Sequence, residues 1–249
     1  MNAITAILVT TLLGQGYYTP EEAQALFTQA NEAYAREDYK AAQEGYEKLL
    51  SHGQGGPDVL YNLGTTYMAQ GDLGRAVLSL ERAWKQGGRA PDLEANLALA
   101  RAQQKDKVEG VAVEEDFLTR LVKATPGEPI GWAFLGSWVL GFGLLLLFRF
   151  LTPGKRTWTA VLAVLSLLVA LPTGGLLAAH AWVEHTVHDA VVLSPTMVAR
   201  EFPKSDAKSL FEVHAGLKVR VLEETGRYVR IRLPNGLEGW TEREGVAEI

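Results

Sequence analysis

The sequence predicts a multidomain membrane protein: an all-α helical solenoid, a transmembrane helical hairpin and a small all-β barrel. Three observations carry this. Two long apolar runs lie almost back to back in the 249-residue chain. The residues before them repeat with a period of 34. Those after them alternate apolar and charged side chains at the period of a strand.

The hairpin comes first because it sets the topology. Ile130 to Phe148 contains no charged residue, and Trp158 to Val183 contains no Asp, Glu, Lys or Arg. A bilayer core about 30 Å thick is crossed by about 20 helical residues, so both runs suffice. Neither carries the polar stripe of a soluble core helix. Trp132, Trp138, Trp158 and Trp182 stand near the run ends, as interfacial aromatics do. The spans are assigned to residues 129–150 and 158–183, with a loop at 151–157 in which Pro153-Gly154 signals a turn. Arg149, Lys155 and Arg156 lie between the runs with no acid. The outer flanks are acidic or mixed, with Glu114, Glu115, Asp116 and Glu128 before and Glu184 and Asp189 after. The positive-inside rule puts the loop in the cytoplasm. Both large segments then lie outside, in the periplasm of a Gram-negative cell, with the hairpin in the inner membrane. Ser166, Ala170, Gly174 and Ala178 recur every four residues, and Ser137 and Gly141 give a shorter version. Such small-residue stripes let helices approach closely in lipid, and here they are assigned to packing of the two spans on each other. Pro172 is expected to bend the second span.

Residues 1–16 read as a signal peptide. The apolar stretch Ala3 to Leu13 is short for a span, and Gly14 and Gly16 offer small residues for cleavage. The segment has no Lys or Arg, and its alternative is a first helix of the soluble domain.

Residues 17–108 hold the repeats. Ala30, Gly64 and Ala98 fall in register, as do Ala42 with Ala76, Tyr46 with Leu80, and Leu49 with Ala83. Pro57-Asp58 returns as Pro91-Asp92, and Asn62-Leu63 as Asn96-Leu97. Small residues at Ala30, Gly64, Ala42 and Ala76 let helices close up, and the larger ones fill the space between. Glu37-Asp38 and Gly71-Asp72 mark tight turns within each pair. This pattern resembles the tetratricopeptide repeat family. The middle unit matches best, through Leu63-Gly64, Tyr67, Gly71-Asp72, Ala76 and Ala83. The first unit has Gln29-Ala30 in place of Leu-Gly. The third has Arg101 where the Tyr belongs, and reads as a first helix only. About two and a half units is short for a solenoid whose units must stack to bury their faces, so a partner or the membrane-proximal segment is expected to complete it. The resemblance makes Phe27, Asn31, Tyr34, Tyr61, Asn62, Thr65 and Asn96 the candidate partner-binding residues of the concave face. Some members clamp a carboxylate with Asn plus Lys or Arg. Here Asn31 and Asn62 match that set, but Phe27, Asp92 and Asn96 occupy the basic positions, so carboxylate capture is not expected. The other reading of the Asn residues is hydrogen bonding between helices of the stack.

Residues 109–128 join repeats to membrane. Glu114, Glu115 and Asp116 suit a helix N-terminus. Phe117, Leu118, Leu121 and Val122 then share a face, and Thr125-Pro126-Gly127 ends the helix. The period fits a helix lying on the membrane surface and equally a helix capping the last repeat.

Residues 187–249 carry the barrel. Leu217 to Leu222 and Tyr228 to Leu233 alternate as half-buried strands, joined by a turn at Glu224 to Arg227. Asn235-Gly236 is a hairpin signal. With Arg200-x-x-Pro203, Val213-x-x-Gly216, Val219/Val221 and Gly239-Trp240, the segment resembles the bacterial SH3-like family. It departs at Glu201-Phe202, where that family often has small residues, which weighs against a ligand cleft there.

No catalytic constellation is present. The net charge of −5 argues against a nucleic-acid partner, and the absence of cysteine excludes disulfides and zinc–thiolate sites. His180, His185 and His188, with Glu184 and Asp189, cluster at the exit of the second span. Their spacing fits no metal motif, and they read as a solvated juxtamembrane segment. His52 and His214 stand apart. The expectation is a non-enzymatic chain with no cofactor or metal. The whole order resembles the BatE family of bacterial aerotolerance operons. That resemblance implies an envelope scaffold in oxygen tolerance or stress, whose partners are von Willebrand A domain membrane proteins linked to a MoxR-type ATPase. The alternatives are a cell-wall module whose barrel binds peptidoglycan and an enzyme using the juxtamembrane histidines.

Overall fold

The computed structural model describes residues 18–88, 91–107 and 115–249. The proposed signal peptide lies outside the described residues. The chain divides into two compact units, Met1–Ala112 with Asp189–Ile249, and Val113–His188.

The first unit opens with five helices: α1 Pro20–Ala35, α2 Tyr39–Ser51, α3 Pro57–Gln70, α4 Leu73–Lys85 and α5 Pro91–Ala102. They pair as α1–α2 and α3–α4, and α5 packs on α4. Chemistry repeats at the turns. Asp38 accepts from the Ala41 N–H and Asp72 from the Arg75 N–H, both at 3.1 Å, satisfying donors that a helix start leaves unpaired. Gly71 takes φ +79° at the end of α3, and the corresponding Glu37 takes φ 62°. Close packing needs small residues where expected. A Cβ on Gly64 would lie 2.7 Å from Leu80 Cγ, and Ala42 and Ala76 are fully buried. One core joins α1, α2 and α3 through Ala30, Tyr46, Leu49, Leu63 and Tyr67.

The rest of this unit is a seven-stranded antiparallel sheet, order β3-β2-β6-β5-β4-β1-β7. Its strands are β1 His188–Val192, β2 Thr196–Arg200, β3 Ser209–His214, β4 Lys218–Thr225, β5 Tyr228–Arg232, β6 Glu238–Glu242 and β7 Val246–Glu248. The turns fall where the sequence put them. Gly226 (φ +60°) sits between β4 and β5, and Gly236 (φ +88°) between β5 and β6. Alternation is as expected: Val219, Val221, Val229 and Ile231 point into the barrel core with Val192 and Val213.

β1 departs from alternation. Ala190, Val191 and Val192 are all fully buried. Val192 belongs to the barrel core. Val191 joins a second core with Leu60, Val77, Leu80, Leu93 and Leu97 of α3, α4 and α5, where Leu193, Ala247 and Ile249 also pack. The β1–β7 edge therefore covers the repeats beside α4 and α5, so among the described residues the barrel itself closes that end of the stack. Polar contacts follow the same seam. The Arg82 guanidinium donates to the Glu248 carbonyl at 2.6 Å, and Lys85 Nζ reaches the Ile249 main-chain oxygen at 2.8 Å. Glu81, 5% exposed, receives Arg101 of α5 at 2.6 Å and Lys218 of β4 at 3.1 Å, as a buried acid requires. A Cβ on Gly74 would fall 2.8 Å from the Leu193 backbone. Asp106 stands 34 residues after Asp72, at the third capping position. Its carboxylate accepts the His214 N–H at 2.6 Å and lies 2.7 Å from His214 Nδ1. Asp106 at that position holds a strand, β3.

The second unit contains α6 Phe117–Ala124, α7 Gly127–Phe148 and α8 Pro153–Thr186. α7 and α8 are long and apolar enough to cross a membrane. α8 begins before the expected span because Thr152 and Pro153 start a helix. Proline's fixed φ and missing N–H suit the first helical position, so Pro153-Gly154 lies inside the helix rather than in a turn. Ser166 donates across to the Ser137 carbonyl at 2.7 Å. A Cβ on Gly141 would meet Leu167 at 2.8 Å, and one on Gly174 would meet the Phe134 ring at 2.9 Å. Ala170 is buried between the helices, whereas Ala178 is exposed. α8 continues through Pro172. α6 packs against α8, and Asp116 caps it through the Thr119 N–H and hydroxyl.

Candidate functional site

Two surfaces of the first unit are candidate sites, one on the repeats and one on the barrel. α1 touches α3, and α3 touches α5, so the first helices of the pairs form one layer. All seven proposed partner-binding residues bond or pack within that layer or onto α2. Asn31 Oδ1 accepts from the Tyr46 hydroxyl at 2.6 Å and from Asn62 Nδ2 at 3.0 Å. Asn96 Nδ2 donates to the Tyr61 hydroxyl at 3.0 Å, and Thr65 donates to the Asn62 carbonyl at 2.9 Å. The Asn side-chain bonds are the helix–helix bonds that the sequence left open as the other reading, whereas that of Thr65 stays within α3. An amide has two donor hydrogens and two acceptor pairs, so each of the three half-buried Asn side chains keeps capacity for a ligand. Phe27 packs on the α1–α3 core, its ring 6.1 Å from that of Tyr46.

Tyr34 differs from the rest. It is exposed, its ring edge-on to Tyr39 at 5.4 Å. Burial pushes the Tyr46 phenol up to about 12. Burial raises Tyr61 too, and the negative charge of Asp92 adds to the shift. The face of α5 beside Tyr61 is open: Asp92, Ala95 and Leu99 are exposed and Asn96 half-buried. Leu99 was not singled out in the sequence, because an exposed Leu in a helix reads as core until its neighbours are known.

The barrel carries a cleft of about 260 Å³ lined by Glu201, Phe202, Arg230, Glu238, Gly239 and Trp240. The bulky pair at Glu201-Phe202 does not fill it, since Phe202 stays exposed. Arg230 and Arg232 grip the two oxygens of Glu238 at 2.6 and 2.7 Å. Burial opposes that charge, but the two guanidinium groups outweigh it and hold the carboxyl below its usual range.

The histidines form no metal centre among the described residues. His180 lies 2.9 Å from the carbonyls of both Leu176 and Thr125, tying the α6–α7 turn to α8, and His188 Nε2 meets the His185 carbonyl at 3.0 Å. His214 does not stand apart: beyond Asp106, its Nε2 lies 2.8 Å from Lys105 Nζ. The pairing resembles a catalytic dyad, but the second nitrogen meets an ammonium rather than a hydroxyl or thiol nucleophile, and the group fastens β3 to the segment after α5.

Residues 27–92 and 61–129 each match the tetratricopeptide repeat family model, and residues 198–247 match that of the bacterial SH3 domain. A search of curated proteins finds no match. The protein thus combines two kinds of binding module, a tetratricopeptide region and an SH3-like barrel, with two apolar helices. The second repeat match runs on past α5 to residue 129, whereas α6 packs on α8 and the β1–β7 edge covers α4 and α5.

Proposed function

We propose that the chain is a non-enzymatic inner-membrane scaffold, holding a partner protein through its repeats in a Bat-type complex with von Willebrand A domain proteins and a MoxR ATPase. The observation that carries the reading is the asymmetry of the repeat stack. Its far end is closed by the barrel, while the first-helix layer keeps open amide and aromatic side chains. Repeat arrays recognise partners through such preformed surfaces. The module order supports the Bat assignment. Replacing Tyr34 and Tyr61 together with Ala should reduce co-purification of the partner at least tenfold, since buried aromatic anchors are commonly worth about 2 kcal/mol or more. Phe202→Ala should leave it intact. The reverse result would make the barrel the recognition module.

A second reading is favoured by the barrel cleft, which pairs the exposed Phe202 with Trp240 and polar neighbours: the barrel binds peptidoglycan. Retention of the purified protein on sacculi, lost on Phe202→Ala, would support it.

In this reading both large segments share one side of the membrane, and the positive-inside rule applied to Arg149, Lys155 and Arg156 favours the periplasm for that side. The chain has no cysteine, so single cysteines report cleanly. With only the outer membrane opened, a cysteine at Asn235 or Arg36 should react with an impermeant thiol reagent, and one at Lys155 should not. Labelling at 155 alone would invert the topology.

A further inference from the structure

Charge separates between the two layers of the repeat stack. The first-helix layer, α1, α3 and α5, carries Glu21, Glu22, Glu32, Asp58, Asp92 and Glu94. Its one basic residue, Arg101, is bound to Glu81 at 2.6 Å. Among the second helices, α2 is balanced, with Lys40 and Lys48 against Glu44 and Glu47, and α4 is basic, with Arg75, Arg82 and Lys85 against Glu81. Helix dipoles account for acids in first turns, but not for the lack of any free cation along three helices. Not all six acids are available. Glu22 closes the cap of α1 with Thr19, and Glu32 pairs with Arg36 at 3.7 Å. Asp58 and Asp92 remain exposed at the starts of α3 and α5. The apolar side chains of the layer, the exposed Tyr34 and Leu99 and the half-buried Tyr61, lie along the same helices.

We infer that this layer takes an extended, positively charged segment of a partner protein, seating a Lys or Arg side chain against Tyr61 and Asp92 and an apolar side chain against Leu99. Three features converge on that chemistry. A cation over a tyrosine ring gains from the ring quadrupole, and more so where the site is partly desolvated. Tyr61 is such a site: it is half-buried, its hydroxyl accepts from Asn96 of α5 at 3.0 Å, and Asp92 stands exposed on the same helix as Asn96. Asp92 neutralises the incoming cation, and like-charge repulsion turns away an acidic segment or a free carboxylate. The spare capacity of Asn31, Asn62 and Asn96 can then serve the peptide backbone, which an extended segment presents at every residue.

The inference rests on the repeats being the recognition surface, and the test separates the two. The probes are three fluorescein-labelled, end-capped peptides with the same apolar residues. They carry two Lys, two Gln or two Glu at the same positions. Each is titrated by anisotropy against the full-length protein in detergent. The Lys peptide should bind at least tenfold tighter than the Glu peptide, and rising salt should weaken it about fivefold or more, because exposed charges are screened. Asp92→Lys should reverse the preference, while Asp92→Asn should abolish discrimination without unfolding the repeats, as helix content and melting would verify. Binding blind to peptide charge, a preference for the Glu peptide, or no binding of any of the three would overturn the inference. If the Tyr34/Tyr61 double variant loses its cellular partner while Asp92→Lys keeps it, the repeats still carry recognition and only the charge assignment fails.

Discussion

Val191→Asp unfolds the repeats together with the barrel. Val191 lies on a barrel strand, but its side chain is fully buried among Val77, Leu80, Leu93 and Leu97. A carboxylate there would enter an apolar core, and the cations of the seam are already engaged, Lys218 and Arg101 on Glu81 and Arg82 and Lys85 on main-chain oxygens. An unpaired buried charge costs several kcal/mol, and about 4 is a large share of a domain's stability. The expected result is a common fall in the melting of the helices, followed by far-ultraviolet circular dichroism, and of the barrel, followed by Trp240 emission in a chain stripped of its other tryptophans. Leu222→Asp, on an exposed position of β4, should shift neither by much. Independent melting of the helices in Val191→Asp would show that the seam is a contact and not a shared core. The same geometry means that cutting the chain after Asp189 is no clean way to remove the barrel, since it uncovers Leu80, Leu93 and Leu97.

That seam marks the limit of what the sequence discloses. Period 34, the two apolar runs and the strand alternation each report which face an element buries, and those faces were legible. What covers a buried face is not a property of its own period. The repeats read as one helix short, and the missing cover was sought in a partner or the membrane-proximal segment, while it lay over 80 residues downstream in Val191, Leu193 and Ala247. One local signal was available. Ala190 to Leu193 is an unbroken apolar run, where β2 and β6 alternate, and such a run means burial on both faces. Asp106 was a second, standing at the capping interval of Asp38 and Asp72. The candidate site was legible in part. The Asn positions follow from the repeat register, but their mutual bonds, and the coupling of Tyr61 to Asp92 and Asn96 across two helices, depend on how the helices stack.

Gly174→Leu should loosen the membrane hairpin, while the same change one residue on, at Gly175, should not. A Cβ at Gly174 would stand 2.9 Å from the Phe134 ring, whereas nothing lies within 4 Å of a Cβ at Gly175. The ring has little room to retreat, since Trp138 follows at 5.7 Å and Phe142 packs on Trp138 at 4.8 Å. In lipid no hydrophobic force draws helices together, so contact distance itself carries the association. A leucine wedged there separates the helices and stretches the Ser166–Ser137 hydrogen bond. The cost should be about 1–3 kcal/mol, the usual range for overpacking. Helix propensity is matched, because both variants replace an adjacent glycine of α8 with leucine. The readout is the temperature at which half the detergent-solubilised protein leaves the monodisperse peak on size exclusion: several degrees lower for Gly174→Leu, unchanged for Gly175→Leu. Adding Phe134→Ala to Gly174→Leu should restore much of the loss by vacating the space the leucine needs. Equal behaviour of the two glycine variants, or no recovery in the double variant, would remove Gly174 from the packing surface.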